Sequence, residues 1–209
     1  ERGHRVSVVN PVQISGFAKS GLQRNKTDRA DARTIAAFCV AKDPEDWHPL
    51  PPELKQLQAL TRRIESLERM LLAETNRRET APSTTRPSID RMIKTLKDEI
   101  DNVQRLIKDH IDNNPDLKQQ SELLQTIPGI GEKTARLLLG EIEFRQFASA
   151  RAVAAHAGVT PRRFQSGTSL NWTRLSKLGN GRIRRALYFP AISALQYNIV
   201  IKQFARRLG

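Results

Sequence analysis

Two short stretches carry residue types whose spacing could do phosphate chemistry. In KTDRADA, Lys26 to Ala32, Asp28 and Asp31 stand three residues apart, so on a helix both carboxylates project from one face. Such a pair can share Mg²⁺, which takes one or two carboxylates together with phosphate oxygens and water. Asp in a first helical turn also complements the macrodipole and caps free amides with no metal involved. In RRFQSGTSLNWTRLSKLGN, Arg162 to Asn180, Ser166 precedes a glycine in a loop with Arg162, Arg163 and Arg174 near it in sequence and no acid. Ser-Gly is a turn signal, and a serine becomes a nucleophile only through a base, a lowered pKa or a metal. His156 is the nearest base in sequence, but nothing in the spacing brings it to Ser166. Ser169 and Ser176 are the alternative hydroxyls.

A third stretch, IPGIGEKTARLLL, places Gly129 and Gly131 around an apolar residue just before a helix that carries Lys133. A tight turn there leaves backbone N–H groups free at a helix start, a setting that suits a phosphate. The stretch resembles the hairpin of the helix-hairpin-helix DNA-binding motif. The same hairpin also occurs as plain helix packing.

Charge sharpens the picture. The chain carries a formal net charge of +13, and all 22 acidic residues lie at or before Glu143. Beyond it come Arg145, Arg151, Arg162, Arg163, Arg174, Lys177, Arg182, Arg184, Arg185, Lys202, Arg206 and Arg207 with no acid between them. An ordinary solvated surface intersperses both signs, whereas a one-sided stretch is the footprint of a polyanion partner. The candidate nucleic-acid contacts are therefore Gly129, Gly131, Lys133, Arg162, Arg163, Arg174, Lys177, Arg182, Arg184 and Arg185. No apolar run approaches the length of a bilayer span, so no membrane partner is expected. Cys39, the sole cysteine, excludes an internal disulfide and a cysteine-based zinc site and points to a reducing, cytoplasmic setting.

The elements that must position these residues are mainly α-helical. RVSVV (Arg5 to Val9) predicts a short strand, followed by an amphipathic segment near Val12 to Ala18 and the polar loop SGLQRNK. A helix then begins near Thr27 or Asp28, with Ile35, Ala36, Phe38 and Cys39 at helical spacing. Leu54, Leu57, Thr61, Ile64, Leu67 and Leu71 step by threes and fours, and Ile89, Ile93, Leu96, Ile100, Val103 and Ile107 do the same. With APSTTRPS between them, the two stripes predict an antiparallel helical hairpin with a coiled-coil seam, a natural spacer or oligomerisation arm. Shorter helices follow from Leu117: one over Ser149 to Ala157 capped by Gly158, and one over Arg182 to Gln196 that Pro190 should kink or interrupt.

In combination these blocks resemble the bacterial insertion-sequence transposases of the IS one-ten family. NPVQISGFAKSGLQRNKTDRADARTIAAF is similar to the end of their N-terminal domain, and LLQTIPGIGEKTARLLLGEI through SKLGNGRIRRALY to their C-terminal transposase domain. The resemblance implies an RNase H-like domain remnant over 1–49 and a transposase domain with a helix-hairpin-helix-like motif and serine loop over 117–209, on either side of the coiled-coil hairpin that the stripes predict over 50–116. It implies that Asp28 and Asp31 are the last two carboxylates of an Asp-Glu-Asp-Asp site for Mg²⁺, and that Ser166 is a nucleophile forming a covalent phosphoserine link to DNA. It further implies a structured guide RNA, a homo-oligomer, and a place in the bacterial cytoplasm at the nucleoid.

In that family the first Asp and the Glu precede the region matching Val6 to Pro11. The expectation is thus a fragment or truncated product with half its metal site, which binds nucleic acid but neither cleaves nor strand-transfers alone. The competing expectation is a non-catalytic DNA- or RNA-binding helix-hairpin-helix protein on a coiled-coil arm.

Overall fold

The computed structural model describes residues 4–21, 27–167 and 170–208 and divides the chain into two compact units, Glu1–Pro49 and Leu50–Gly209. In the first unit Asn10 caps α1 (Pro11–Ser20) through its side chain, and Thr27 caps α2 (Asp28–Lys42), its hydroxyl accepting from Ala30 N at 3.2 Å. The two helices meet edge to face at Phe17 and Phe38, with ring centroids 5.6 Å apart. Phe38 is the one buried residue described in this unit, whereas Ile35 and Cys39, placed on the same face by periodicity, are exposed.

The strand expected over Arg5 to Val9 does not form. These residues lie alongside the segment after α2 through Trp47 N to Val6 O (2.6 Å), Ser7 Oγ to Pro44 O (3.1 Å) and an Arg5–Asp46 ion pair (2.9 Å). β-branched residues favour extended backbone, but a strand needs a ladder, and no described segment of the unit pairs with them. Lys26 and most of the SGLQRNK loop lie outside the described residues.

The second unit is built on the helical hairpin. α3 (Pro52–Thr80) and α4 (Arg86–Asp112) run antiparallel, tied near the turn by an Arg78–Asp90 ion pair and at the open end by His110 Nε2 against Glu53 O, 2.8 Å. Leu54, Leu57, Thr61, Ile64 and Leu67 face Ile89, Leu96, Ile100, Val103 and Ile107, all buried. Proline opens α1, α3 and α5 (Pro115–Gln125), where its missing N–H costs no intrahelical bond.

Leu117 of α5 and Leu139 of α6 (Glu132–Glu141) complete the hairpin's core, so segments 50–116 and 117–209 share it. A second cluster, Leu138, Ile142, Ala157 and Ile183, joins α6 to α7 (Ala150–Ala157) and α8 (Gly181–Ala186). α7 starts at its N-cap Ser149 and ends at Gly158, whose φ of 71° closes the helix as expected. The long helix expected over 182–196 is two helices: α8 ends at Ala186, and α9 (Tyr188–Tyr197) has Pro190 in its first turn. The ring lacks the N–H that would have bonded Ala186, and the break falls there. α10 (Ile199–Leu208) follows.

One element replaces an expected loop. Residues Pro161–Ser166 (β1) and Leu170–Leu175 (β2) form a two-stranded antiparallel ribbon, with Gly167 at φ 55° opening its turn.

Candidate nucleic-acid interface and serine ribbon

Strand alternation sorts the ribbon's side chains into two faces. In the observed register Arg162 pairs with Arg174, Phe164 with Trp172 and Ser166 with Leu170, which puts Arg162, Phe164 and Ser166 on one face. Phe164 and Trp172 stack at 4.1 Å with planes 13° apart. The Arg162 guanidinium lies 4.7 Å from the Phe164 centroid, and that of Arg174 lies 5.0 Å from Phe164 and 4.9 Å from Trp172. Arg163 is on the opposite face, donating to Asn171 Oδ1 at 3.3 Å. Ser166 sits exposed at the end of β1, and its hydroxyl makes no hydrogen bond to a described group.

His156, the base nearest in sequence, is engaged elsewhere, its ring 5.1 Å from that of Phe147. Of the alternative hydroxyls, Ser176 is used in a turn, its Oγ accepting from Leu178 N at 3.3 Å. Ser169 lies outside the described residues.

The base of the ribbon is fastened by backbone. Ser176 N donates to Thr160 O (2.9 Å), Lys177 N to Gly158 O (3.2 Å) and Asn180 N to His156 O (2.7 Å). Arg184 adds a staple, with Nη1 3.5 Å from Ala157 O and 3.4 Å from Lys177 O. Lys177 itself adopts φ 56° in this junction. Arg184 and the Lys177 backbone thus have structural work at the ribbon's root. Arg185 is exposed, its Nε reaching only Gly181 O of its own helix at 3.3 Å.

The PGIG turn joins α5 to α6 as a helix–turn–helix pair. Gly129 has φ 94°, and a Cβ on it would come within 2.8 Å of Pro190 O and 2.9 Å of Ser193 Cβ, so it lets the turn press onto α9. Gly131 faces open space and is the N-cap of α6, with no side-chain cap. Lys133, two residues on, is paired with Glu68 of α3, and Arg182 of α8 with Glu65. These cations border a groove of about 610 Å³ that also takes in Arg69, Arg185 and Phe189. Arg136, on the inward side of α6, is buried; desolvation pulls its pKa below the usual guanidinium value, with Glu132 and Glu68 opposing.

In the first unit Asp28 and Asp31 occupy the first turn of α2, both exposed. Among the described residues no third histidine, cysteine or carboxylate joins them into a metal-binding group. Two outward carboxylates on one helical turn do fit the part that Mg²⁺ asks of a protein when phosphate and water complete its shell. No described helix is long and apolar enough to cross a membrane.

Sequence reasoning missed the Phe164–Trp172 pair and the acidic partners of Lys133 and Arg182. Leu170 and Trp172 alternating with Asn171 and Thr173 were the available signal for β2, whereas β1, with Phe164 as its one large apolar side chain, carries no such pattern. Nothing local announces the ion pairs.

Residues 121–206 match the family model described as Transposase IS116/IS110/IS902 family, and residues 1–87 match a DEDD transposase model of the IS110 type. The chain is 36% identical over 191 residues to the pilin gene-inverting protein of Moraxella bovis, covering 90% of this chain and 59% of that protein. Its counterpart in Moraxella lacunata matches to the same extent. The transposase for insertion sequence element IS1328 of Yersinia enterocolitica is 26% identical over 215 residues, covering 88% of this chain and 62% of that protein. The chain thus spans less than two thirds of the length of these relatives. Both blocks on which the sequence resemblance rested fall inside matched regions, and the chain belongs to the IS110, or IS one-ten, family of transposases.

Proposed function

We propose that this chain is part of a DNA transposase that breaks and rejoins strands of an insertion sequence through Ser166. The observation that carries the reading is the exposure of the Ser166 hydroxyl at the end of a ribbon that presents arginines and no acid. Its Oγ would give up its proton and attack a backbone phosphorus, forming a phosphoserine ester as the bond from phosphorus to the leaving oxygen breaks. That oxygen takes up a proton, and a returning hydroxyl reverses the exchange to join the new strand. Arg162 and Arg174 are suited to hold the non-bridging oxygens and to stabilise the charge that grows on them.

Asp28 and Asp31 would hold Mg²⁺, which when bound neutralises phosphate charge. Unit Glu1–Pro49 exposes Val6, Val8, Val12, Ile35 and Val40 around Phe38, the one buried residue described there, which supports reading it as a piece of a larger, RNase H-like layer. The acid-free C-terminal stretch suits both DNA and the guide RNA that the family resemblance implies, and the α3–α4 hairpin is the natural oligomerisation arm.

The test uses protein expressed from its complete reading frame with a DNA substrate carrying the element's ends. The wild type should yield a protein–DNA adduct stable to denaturation, and Ser166→Ala should lose the adduct while keeping DNA affinity. An adduct that survives in Ser166→Ala would remove Ser166 from this role, and DNA binding with no adduct from either protein would favour a non-catalytic binder.

A further inference from the structure

We infer that the stacked Phe164–Trp172 pair is a platform for one unpaired nucleobase, placed so that the adjoining phosphate meets Arg162, Arg174 and Ser166. The inference rests on the nucleic-acid reading above and names the part of the ligand that this ribbon face takes.

Three observations converge on it. Arg162 and Arg174 are directly opposed across the ribbon, an arrangement of like charges that destabilises a strand pair, and no carboxylate of either strand relieves it. An anion seated between them does. Both guanidinium groups also lie within about 5 Å of the aromatic rings, so the anion and an aromatic surface are offered together. Finally, Trp172 keeps 40% of its surface exposed although it is the largest apolar side chain of the ribbon. A tryptophan serving only to hold two strands together would gain by turning that surface inward.

A nucleotide is a planar ring joined to a phosphate, and the face offers a complement to each part. Ser166 lies two residues beyond Phe164 on the same face, about 7 Å along the strand. That is within reach of the phosphate next to a base stacked on the platform. A base inside a duplex exposes no π-face, so the ligand has to be unpaired, either in a strand of melted DNA or in a single-stranded segment of RNA.

The experiment uses the full chain with Trp47→Phe, which leaves Trp172 as its only indole. Oligothymidylate, oligouridylate and an abasic oligonucleotide of equal phosphate number are titrated at one salt concentration, with Trp172 fluorescence and affinity both read. A base-bearing strand should quench Trp172 and bind about tenfold more tightly than the abasic one. Trp172→Leu should abolish that preference while leaving abasic affinity in place, and Trp172→Phe should restore it. Stronger quenching by the thymidylate identifies DNA as the source of the base, and by the uridylate, RNA. Equal binding of all three strands with unchanged fluorescence would overturn the platform and leave a phosphate-binding ribbon. Failure to bind any of them would sink the nucleic-acid reading itself.

Discussion

Glu141, near the end of α6, accepts a hydrogen bond from Asn180 Nδ2 at 2.8 Å, while Asn180 Oδ1 accepts from Arg182 N at 2.9 Å. One asparagine therefore caps α8 and ties it to a carboxylate 39 positions earlier. The Glu141 side chain is only 5% exposed, and Arg62 of α3 approaches its other oxygen at 3.1 Å. Three elements meet at this carboxylate, and α8 is set relative to the hairpin core by it.

Glu141→Ala should lower stability by about 2 kcal/mol, less than a fully buried pair would because Arg62 remains half in solvent. Asn180→Ala should cost about 1 kcal/mol or more, losing the cap along with the link. Urea unfolding with an unchanged m-value is the measurement, and wild-type midpoints for both variants would show that the contact contributes nothing.

Gly179 is the tightest point under the ribbon. It sits at φ 155°, and a Cβ there would come 2.5 Å from Gly158 N and closer still to His156 O. Both are backbone atoms that cannot swing away. Gly179→Ala should destabilise by at least about 2 kcal/mol and displace the ribbon, seen as lost protection of the Asn180 amide that donates to His156 O. Unchanged exchange at Asn180 would mean the junction yields without effect.

Arg162→Gln and Arg174→Gln should act in opposite directions on folding and binding. Each relieves the like-charge pair and should leave thermal stability equal or raised. Each should also weaken nucleic-acid affinity and reduce the slope of log K against log salt by about one. A salt slope that does not move in either variant would take these two arginines off the interface.

Glu65 and Glu68 hold Arg182 and Lys133 in ion pairs, which masks two cations beside the groove between α3, α6 and α8. The double change Glu65→Gln, Glu68→Gln should strengthen DNA binding several-fold at low salt, with the gain fading as salt screens it. Unaltered affinity would mean that the groove does not face the nucleic acid.

Much of the frame was legible beforehand. The three-and-four spacing of Leu54 to Leu67 and of Ile89 to Ile107 places those residues on one face of any helix that forms, and the structure buries those faces against each other. Thr27 ahead of Asp28, Ser149 ahead of Ala150 and Gly158 after Ala157 marked helix ends because caps depend on residues a few positions apart. The strand expected at Arg5 to Val9 failed for the opposite reason, since a strand is completed only by a partner.

By itself the sequence determined the helical frame, the acid-free C-terminal stretch and the pairing of Asp28 with Asp31, all properties of neighbours along the chain. Only the tertiary structure decided that Ser166 shares a face with Phe164 and Arg162, that Trp172 stacks on Phe164, and that Lys133 and Arg182 are already engaged by α3. Arg182 lies 117 positions from Glu65, and no local pattern encodes such a meeting. It follows from the path that packing of the buried faces imposes on the whole chain.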